Sequence, residues 1–499
     1  MPQYQAPGVY IEEIGSGPKP IEGVSTSIAG AVGVTAWGPT REPVLVTSFH
    51  EFQRRFGAAR IEPSVVTKNA WANDTVEGGE WWHFALAVKG FFDNGGQRLY
   101  VQRVCANTAG TAFVELCPGL TVKAKAPGSY GNSIRVRAVS TATAQMELTV
   151  QHLSNGALDL EEIFTNSTID DAAARVSRES TLIDLQRAPC TDVTLPPPGT
   201  ASWQWLAGGN DRFDQLALAD FVGIDGGNGS KTGIRALADI HDISLCIVPG
   251  LWARTVHNAL IEHCAALQHR FAIIDPPAGL DVAEVCAFRE VYDTLYAALY
   301  YPWLEMPDPT IGQNVRLAPS AHVAGIYARA DAARGVHKAP ANEVITSLSR
   351  LARTMTADES ETLNEKNINA LRFFSGRGYR VWGARCLTSD PDWKYVHVRR
   401  LLMFIEQSIE RGTQWVVFEP NAETTWTGVR NAVTNFLRMV WRNGALHGTT
   451  EDEAFFVKCD RSTMTQNDID NGRLICLVGI APLSPAEFVI IRIGHWTTR

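Results

Sequence analysis

The stretch NALRFFSGRGYRVWGAR, residues 369–385, opens the segment that decides the fold, and this segment runs to Asp470. Directly after the stretch, apolar residues recur at helical spacing and predict a helix over residues 395–411. Gly412 is expected to end the helix, because a residue without a Cβ atom readily adopts the left-handed turn that closes many helices. The apolar face of this helix consists of Val398, Leu401, Leu402, Ile405 and Ile409.

The second half of the segment predicts a strand and another helix. The run Trp415–Phe418 is apolar throughout and precedes Pro420, which predicts a short buried strand. A second amphipathic helix is expected to begin near Thr425 and to end at Asn443. Nothing in the segment is typical of an active site, so it predicts a rigid, packed α/β core.

The order of the motifs in this segment resembles that of the phage-type contractile tail sheath proteins. Four C-terminal motifs follow one another as they do in that family, with Cys386 where threonine is usual. Four shorter motifs near the N-terminus resemble the same family. The C-terminal motifs are Val381–Leu387, Tyr395–Leu401, Gly412–Asn421 and Asp468–Leu474, and the N-terminal motifs are Pro7–Glu13, Ile21–Ser27, Gly38–Ser48 and Phe91–Gly96.

The resemblance implies a multidomain α/β fold. Its parts would be a subtilisin-like parallel α/β domain, a β-rich insertion, an α+β inner core domain and extended terminal strand arms. In the family, the region built from both chain ends lines the lumen and inserted domains face outward. The expected boundaries are 1–22 for the N-terminal arm, 24–106 for the first part of the inner core region, 107–206 for the outward-facing insertion, 207–372 for the subtilisin-like domain, 373–483 for the C-terminal core domain and 484–499 for the C-terminal arm.

Composition limits the class of protein independently of any resemblance. A chain of 499 residues is too long for one core, so about two to four domains are expected. With 45% apolar and 20% charged residues, the chain has a globular composition. Its net charge of −8 argues against nucleic-acid binding, which requires a basic face. The N-terminal sequence lacks a signal-peptide pattern, and no apolar run approaches the roughly 18 residues of a membrane span. Nine cysteines, never spaced as Cys-x-x-Cys, predict reduced thiols in a cytoplasmic chain.

Each end of the chain carries a strand-like run beside a hinge of glycine or proline. A lone strand cannot bury its apolar side chains by itself, and an exposed one would promote aggregation. Two interpretations stay open: the strands pair within their own domain, or they add to sheets of neighbouring subunits, as the resemblance implies. The arm residues are Val9, Tyr10, Ile11, Phe488, Val489, Ile490, Ile491 and Ile493, and the hinge candidates are Gly15, Gly17, Pro18, Pro482 and Pro485.

The sequence between the arms predicts alternating strands and helices. Ser48 is a plausible N-cap for a helix over residues 49–56. Residues 107–206 contain short alternating strands, and residues 207–342 alternate apolar strands with helices, which implies a parallel sheet covered on both faces. Other predicted elements are a helix at Trp82–Phe92, strands at Leu99–Val104, Ile134–Val139, Met146–Gln151, Leu245–Pro249 and Phe271–Asp275, and helices over 253–269 and 281–297.

Two patterns suggest enzymatic or nucleotide chemistry, and each departs from its motif. The glycine-rich loop Gly223–Gly233 has Ser230 where a phosphate-binding loop requires glycine directly before lysine. The sequence around His322 is similar to the histidine motif of subtilisin-like proteases, yet no nucleophile-serine motif follows it. We therefore expect a structural histidine and keep a subtilisin-like hydrolase as the disfavoured alternative.

Two clusters could suggest a metal site. On one predicted helix, His257, His263, Cys264 and His269 lack the spacing that would place ligands on one face. The acidic cluster 358–361 lacks the glycine and distal glutamate of a calcium loop, so it predicts a solvated helix start. The sequence thus predicts no catalytic residue, no metal site and no cofactor.

The resemblance implies a structural role as the subunit of a contractile sheath. Such subunits form a helical homo-oligomer of stacked hexameric rings around an inner tube, and contraction drives the tube through a target envelope. The implied partners are further copies, the inner tube protein, and baseplate and tail terminator or cap proteins, with no nucleic acid and no direct membrane insertion. Assembly would occur in the bacterial cytoplasm and yield a phage tail, an R-type bacteriocin or an extracellular injection system. The candidate tube-facing residues are Arg430, Arg438 and Arg442.

Overall fold

The computed structural model describes residues 20–57, 78–140, 145–154, 156–166, 168–189, 194–197, 200–227 and 231–487. The chain divides into two compact units. Unit 1 combines Met1–Val24 with Leu401–Arg499, and unit 2 is Ser25–Arg400. The two ends of the chain therefore belong to the same unit although they are farthest apart in sequence.

A nine-stranded sheet forms the centre of unit 2. Its strands, numbered in chain order and given in spatial order, are β16 (Glu343–Val344), β19 (Gly378–Val381), β18 (Asn369–Phe374), β13 (Ala297–Tyr301), β12 (Phe271–Ile274), β11 (Leu245–Ile247), β1 (Ala29–Val34), β3 (Leu99–Val104) and β2 (Val44–Val46). The six strands from β18 to β3 are parallel neighbours, and the strands at both edges pair antiparallel. Strands from the predicted segments 24–106, 207–372 and 373–483 thus share one sheet.

Helices cover this sheet. They are α1 (Phe49–Phe56), α2 (Phe84–Asp93), α4 (Leu218–Val222), α5 (Gly233–Ala236), α6 (Arg254–Leu267), α7 (Val282–Arg289), α8 (Ser320–Arg334) and α9 (Ala357–Glu365). Strands β11, β12 and β13 are buried at every residue, as expected for parallel strands covered on both faces. Both α6 and α8 pack against β11 and β12. The prediction of a parallel sheet in this part of the chain is confirmed.

Local signals placed several of these elements correctly and one incorrectly. The Ser48 hydroxyl accepts from the Glu51 backbone N–H and caps α1, as predicted. The helix predicted at Trp82–Phe92 is present as α2 after a single 3₁₀ turn. The helix predicted over 281–297 is wrong in its second half, because α7 ends at Arg289, residues 290–296 form turns and loop, and β13 follows at Ala297–Tyr301. Those residues are buried on both sides in the middle of the sheet.

Three smaller antiparallel sheets complete unit 2. One orders β4 (Phe113–Cys117), β5 (Leu120–Ala124) and β9 (Ile183–Arg187), and another orders β10 (Gln204–Trp205), β6 (Ile134–Ser140), β7 (Met146–Ser154) and β8 (Ala157–Asn166). Helix α3 (Ile169–Glu179) joins these two sheets around a separate hydrophobic core. The third sheet orders β15 (Gln313–Leu317), β14 (Leu304–Asp308) and β17 (Arg350–Leu351). Residues 107–206 are therefore rich in antiparallel strands, as their alternating sequence predicts.

Unit 1 is built on helices with a two-stranded sheet. Its elements are α10 (Val396–Gly412), which enters the unit at Leu401, α11 (Glu423–Arg442), α12 (Glu451–Ala454), β20 (Phe455–Lys458), α13 (Gln466–Asp470) and β21 (Leu477–Ile480). The apolar face predicted for the second helix is the buried face of α11. Phe436 of α11 stacks near Phe404 of α10, with ring centroids 5.9 Å apart. In the described part of both units, no helix combines the length and the apolar character needed to cross a bilayer.

The strand predicted at Trp415–Phe418 is wrong. A 3₁₀ turn occupies Gln414–Val416, and the two residues after it are exposed, Val417 by 61% and Phe418 fully. Phe418 has a φ of 70°, which is left-handed backbone and incompatible with a strand. The turn is held by local backbone bonds, such as Glu419 N to Val416 O at 3.0 Å. An apolar run forms a strand only where a neighbouring strand can pair with its backbone hydrogen-bonding groups. Among the described residues, no strand pairs with Trp415–Phe418.

The predicted role of Gly412 is half correct. Helix α10 ends at Gly412, but this glycine is not among the described residues with a positive φ, so the expected left-handed turn is absent. A Cβ atom at this position would lie 2.7 Å from the Ile21 side chain. The glycine therefore serves close packing rather than backbone freedom.

Candidate functional site

His322, the residue with the protease-like surroundings, is a core residue of α8. Its side chain has no exposed surface, and burial lowers its pKa to about 4, so the ring is neutral near pH 7. A Cβ atom on Gly90 of α2 would lie 2.1 Å from the imidazole Cε1. The ring therefore fills the contact between α2 and α8 and is closed to a substrate.

A buried serine and aspartate lie near the start of the same helix, but their arrangement does not support triad chemistry. Ser320 Oγ donates to the Asp275 carboxylate at 2.6 Å. The backbone N–H groups of Ser320 and Gly250 donate to the same carboxylate at 2.9 and 3.2 Å. In a catalytic triad the serine instead donates to a histidine that acts as general base. Burial raises the pKa of Asp275 to about 7, and the group ties the ends of β11 and β12 to α8.

The histidine cluster and the acidic cluster are explained by internal contacts. His257 Nε2 donates to the Leu251 carbonyl, and His257 Nδ1 accepts from the Tyr292 hydroxyl, both at 2.9 Å. Burial lowers the pKa of His257 to about 4. The acidic cluster begins α9, where Thr356 and Glu359 form a capping box. Across the residues that the structure describes, no three His, Cys, Asp or Glu side chains are grouped to hold a metal ion.

The predicted arms and most predicted hinges lie outside the described residues. These are the arm residues Val9, Tyr10, Ile11, Phe488, Val489, Ile490, Ile491 and Ile493, and the hinges Gly15, Gly17 and Pro18. Pro482 and Pro485 are described. Pro482 forms an isolated antiparallel bridge with Leu446, and residues 483–487 have no regular secondary structure. The hinge role of both prolines stays a prediction.

The described residues next to each arm, 20–24 and 481–487, are called here the arm roots. At the N-terminal root, Ile21 is buried and the Val24 N–H donates to Ser408 Oγ of α10 at 3.1 Å. At the C-terminal root, the Ala481 N–H donates to the Ala454 carbonyl at 2.9 Å, and the Ala481 carbonyl accepts from the His447 N–H at 2.7 Å. Both arms therefore start from fixed points on unit 1.

The two-stranded sheet of unit 1 is incomplete in its hydrogen bonding. Strands β20 and β21 pair antiparallel from Phe455 opposite Ile480 to Lys458 opposite Leu477. Neither strand has a second neighbour among the described residues, so both outer edges of this hairpin are open. A two-stranded sheet alone is marginally stable in water, and an open edge is a template for a further strand. In the described part of the chain, each outer edge of the hairpin therefore carries backbone groups that could pair with a further strand.

The same hairpin also leaves apolar side chains exposed on one of its faces. Phe455 is buried, and β20 packs against α11. On the other face, Phe456 is 52% exposed and Leu477 is 50% exposed. A Cβ atom on Gly479 would lie 2.2 Å from the Phe456 ring, which shows that the ring lies flat across β21. The outer face of the hairpin thus presents apolar side chains that the described residues of unit 1 leave exposed.

Sequence reasoning missed this hairpin although a signal was present. The runs FFVK (455–458) and LVGI (477–480) are short, rich in aromatic and branched residues, and separated by a polar connection. The motif that resembles the family, Asp468–Leu474, lies in the connection between these two runs and not in either run. The structure shows that the informative residues are the two strands on either side of it.

The three arginines of α11 have unequal surroundings. Arg438 forms a bidentate ion pair with Glu451, at 2.7 and 2.9 Å, and its charge is therefore already compensated. Arg430 is half-buried, and Arg442 is exposed. Their contact with a tube stays a prediction, with Arg442 the most accessible of the three.

Comparisons with known proteins agree on one family. A family model for the phage tail sheath protein central domain matches residues 232–387, and one for the phage tail sheath C-terminal domain matches residues 388–494. Together these matches cover more than half of the chain. A prophage major tail sheath protein of Pseudomonas aeruginosa is 26% identical over 282 residues, 54% of this chain and 71% of that protein. The tail sheath protein of Burkholderia phage BcepMu is 26% identical over 279 residues, which span 51% of this chain and 57% of that protein.

Solved structures share the fold over nearly the whole chain. The sheath of the extracellular contractile injection system PVC, in its contracted state, matches with a TM-score of 0.60 and 23% identity, covering 99% of this chain and 98% of that one. The helical sheath of the anti-feeding prophage, also contracted, matches with a TM-score of 0.59 and 24% identity, covering 98% and 99%. The sheath tail protein of Listeria innocua matches with a TM-score of 0.62 and 12% identity, covering 93% and 96%. The mixed α/β multidomain fold is thus one found in sheath proteins.

Proposed function

This chain belongs to the phage tail sheath family, and on that premise we propose that it is the structural subunit of a contractile sheath. Copies would polymerise helically as stacked hexameric rings around an inner tube, and contraction would drive the tube through a target envelope. Head-to-tail contacts that do not close on themselves generate open filaments of this kind. Two solved structures with the same fold are contracted sheaths, which supports the proposal.

The open hairpin β20–β21 is the observation that carries the proposal. Each of its two edges can accept one strand, and the arms supply two strands per subunit. The arm roots lie on unit 1, so each subunit would offer arms and an acceptor from the same unit. We therefore assign the arm runs Val9–Ile11 and Phe488–Ile493 as donor strands and the hairpin as their acceptor in neighbouring subunits.

Simple energetics show why such links would survive contraction. About four or five ladder hydrogen bonds contribute roughly 1 kcal/mol net each. Several apolar side chains contribute roughly 1.5–3 kcal/mol each when they are buried against the hairpin. The sum is several kcal/mol per arm before the cost of ordering it. The arms would stay attached while hinges at Gly15, Gly17, Pro18, Pro482 and Pro485 let the units move.

The remaining assignments follow the family. Residues 24–106 and 373–483 would face the lumen, residues 107–206 would face outward, and residues 207–372 would be the subtilisin-like domain, for which the parallel sheet is support. The partners would be further copies, the inner tube protein, and baseplate and tail terminator or cap proteins. Assembly would occur in the bacterial cytoplasm, and no nucleotide is required if the extended lattice is metastable and the contracted lattice has better interfaces.

The decisive experiment substitutes an exposed side chain of the acceptor. Purified full-length chain is imaged by negative-stain electron microscopy for striated tubules, and Phe456→Ser is compared with the wild type. Because Phe456 is half exposed in the subunit, we expect the variant to melt at the wild-type temperature but to form few or no tubules.

The matched control is Phe113→Ser, which removes an equally exposed phenylalanine, 57% against 52%, from β4 of unit 2. This control is expected to form tubules like the wild type. If Phe456→Ser assembles as well as Phe113→Ser, the hairpin is not the acceptor and the strand-exchange proposal is wrong.

A further inference from the structure

Two pairs of cysteine side chains are in hydrogen-bond contact, one pair in each unit. Cys459 and Cys476 flank the ends of β20 and β21 that face their connection. Cys246 of β11 and Cys264 of α6 form the other pair, in the core of unit 2. All four are free thiols in the structure.

The register of the hairpin places the first pair in disulfide geometry. Lys458 lies opposite Leu477, so Cys459 and Cys476 occupy the next pair of facing positions. Facing residues in antiparallel pairs have Cα atoms about 4.5 or 5.5 Å apart. A disulfide requires a Cα separation of about 4.4–6.8 Å, and facing positions of an antiparallel pair fall within that range.

Accessibility separates the two pairs. Cys476 is half-buried, so a small oxidant can reach one sulfur of the hairpin pair directly. Cys246 and Cys264 both have no exposed surface and lie among core side chains. We propose that Cys459 and Cys476 are an oxidation site that forms an intramolecular disulfide with a low-molecular-weight disulfide such as oxidised glutathione, while Cys246 and Cys264 stay reduced.

The reaction balances as two thiol–disulfide exchanges. The Cys476 thiolate attacks one sulfur of oxidised glutathione, forms a mixed disulfide and releases one glutathione thiolate, which takes up the proton that Cys476 lost. The Cys459 thiolate then attacks the Cys476 sulfur and releases the second glutathione. The protein loses two protons and two electrons, and oxidised glutathione takes up both to become two thiols.

The surroundings of the thiols set the rate of this reaction. Burial raises the pKa of both, that of Cys476 to about 12, and so keeps the thiolate fraction small at neutral pH. Oxidation is therefore slow at pH 7 and accelerates as the pH rises. The pair stays reduced in a glutathione-buffered cytoplasm and closes in an oxidising medium outside the cell.

The test uses the purified full-length chain incubated with oxidised glutathione, followed by alkylation, trypsin digestion and mass spectrometry. Trypsin cleaves after Lys458, Arg461 and Arg473, so Cys459 and Cys476 fall in separate peptides. We expect a disulfide-linked pair of these two peptides to replace their free, alkylated forms, and to do so faster at pH 9 than at pH 7. The peptides of Cys246 and Cys264 are expected to stay unlinked.

Two variants separate this outcome from unspecific oxidation. Cys459→Ser is expected to retain glutathione on Cys476, because no second thiol displaces it. Cys117→Ser removes a half-buried cysteine for which the described residues show no thiol partner, and it is expected to leave the Cys459–Cys476 link unchanged. If both hairpin cysteines remain alkylated after oxidation, or if the link forms between Cys246 and Cys264 instead, the proposal is overturned. Neither result depends on tubule formation, so the inference fails or holds separately from the proposed function.

Discussion

The sheets of the two units differ in how they end. In unit 2 the nine-stranded sheet closes with very short antiparallel strands, three residues in β2 and two in β16, and its central strands are buried on both faces. In unit 1 the sheet consists of two strands, has two open edges in the described chain and exposes Phe456 and Leu477. Short edge strands are a common protection against unwanted pairing, and β20–β21 lacks that protection.

This difference indicates a division of roles. The nine-stranded sheet of unit 2 has short edge strands and central strands that are buried on both faces, so its sequence serves stability. In the described part of unit 1, the hairpin β20–β21 has unpaired outer edges and exposed apolar side chains. Such a surface is completed by residues outside the described ranges or by another chain, or it is prone to aggregation. The four predictions below test this contrast, from the largest expected effect to the smallest.

Removal of the arms should abolish assembly without unfolding the subunit. We expect chains lacking residues 1–19 or residues 488–499 to form no tubules, because the acceptor edges then receive no strand. The melting temperature should stay within about 2 °C of the wild type, because the truncations keep every described residue of the buried cores. Negative-stain imaging and circular dichroism measure the two quantities. Long, contracting tubules from either truncated chain would show that this arm is not needed for assembly, and would contradict the division of roles between the units.

A core substitution in unit 2 should lower the stability of the subunit, in contrast to removal of the arms. Phe271 of β12 is fully buried, and Phe271→Ala is expected to lower the free energy of unfolding by about 3–5 kcal/mol. The corresponding loss for Phe456→Ala should be below about 0.5 kcal/mol, because its ring is half exposed already. Denaturant unfolding measures the free energy of unfolding of both variants. Similar losses would contradict the view that the Phe456 ring is left uncovered in the subunit.

Acidification should weaken unit 2 in particular. Burial lowers the pKa of His257 and His322 to about 4, so between about pH 6.5 and 4 only the unfolded chain binds these protons, and stability falls as the pH falls. Asp275 contributes to the pH dependence of stability with the opposite sign, because burial raises its pKa to about 7 and the folded state holds its proton. The net slope from these three groups is roughly 1.4 kcal/mol per pH unit.

Asp275→Asn provides the check on this prediction. It removes the opposing contribution, so the slope from the two histidines should approach roughly 2.7 kcal/mol per pH unit. Thermal melts between pH 4 and 6.5 measure it. An unchanged slope in Asp275→Asn would show that the carboxyl is not protonated in the folded state.

Charge reversal on α11 should have the smallest effect on folding. Changing Arg430, Arg438 and Arg442 to glutamate leaves the core untouched, so we expect an unchanged fold and a loss of co-assembly with a tube protein. Arg438→Ala, which breaks only the pair with Glu451, should leave co-assembly unchanged. Co-sedimentation of sheath and tube measures both, and normal co-assembly of the triple variant would refute the tube-facing assignment.

Much of the fold could be predicted from local patterns. The spacing of Leu401 and Ile405 predicted α10, the Ser48 cap predicted the start of α1, and the apolar run around Phe271 predicted a buried parallel strand. These signals are local because helix caps and hydrophobic periodicity depend on residues only a few positions apart. The family resemblance likewise came from short motifs in order, and the family models matched the same part of the chain.

The sequence by itself determined which segments are helical or apolar and to which family the chain belongs. Only the tertiary structure decided that Trp415–Phe418 turns outward rather than forming a strand, that both chain ends share a unit, and that no other described strand pairs with β20–β21. The physical reason is that pairing and exposure depend on which distant segments lie alongside a residue. Strand partners come from anywhere in the chain, so an apolar run does not reveal whether it is covered, paired or left free.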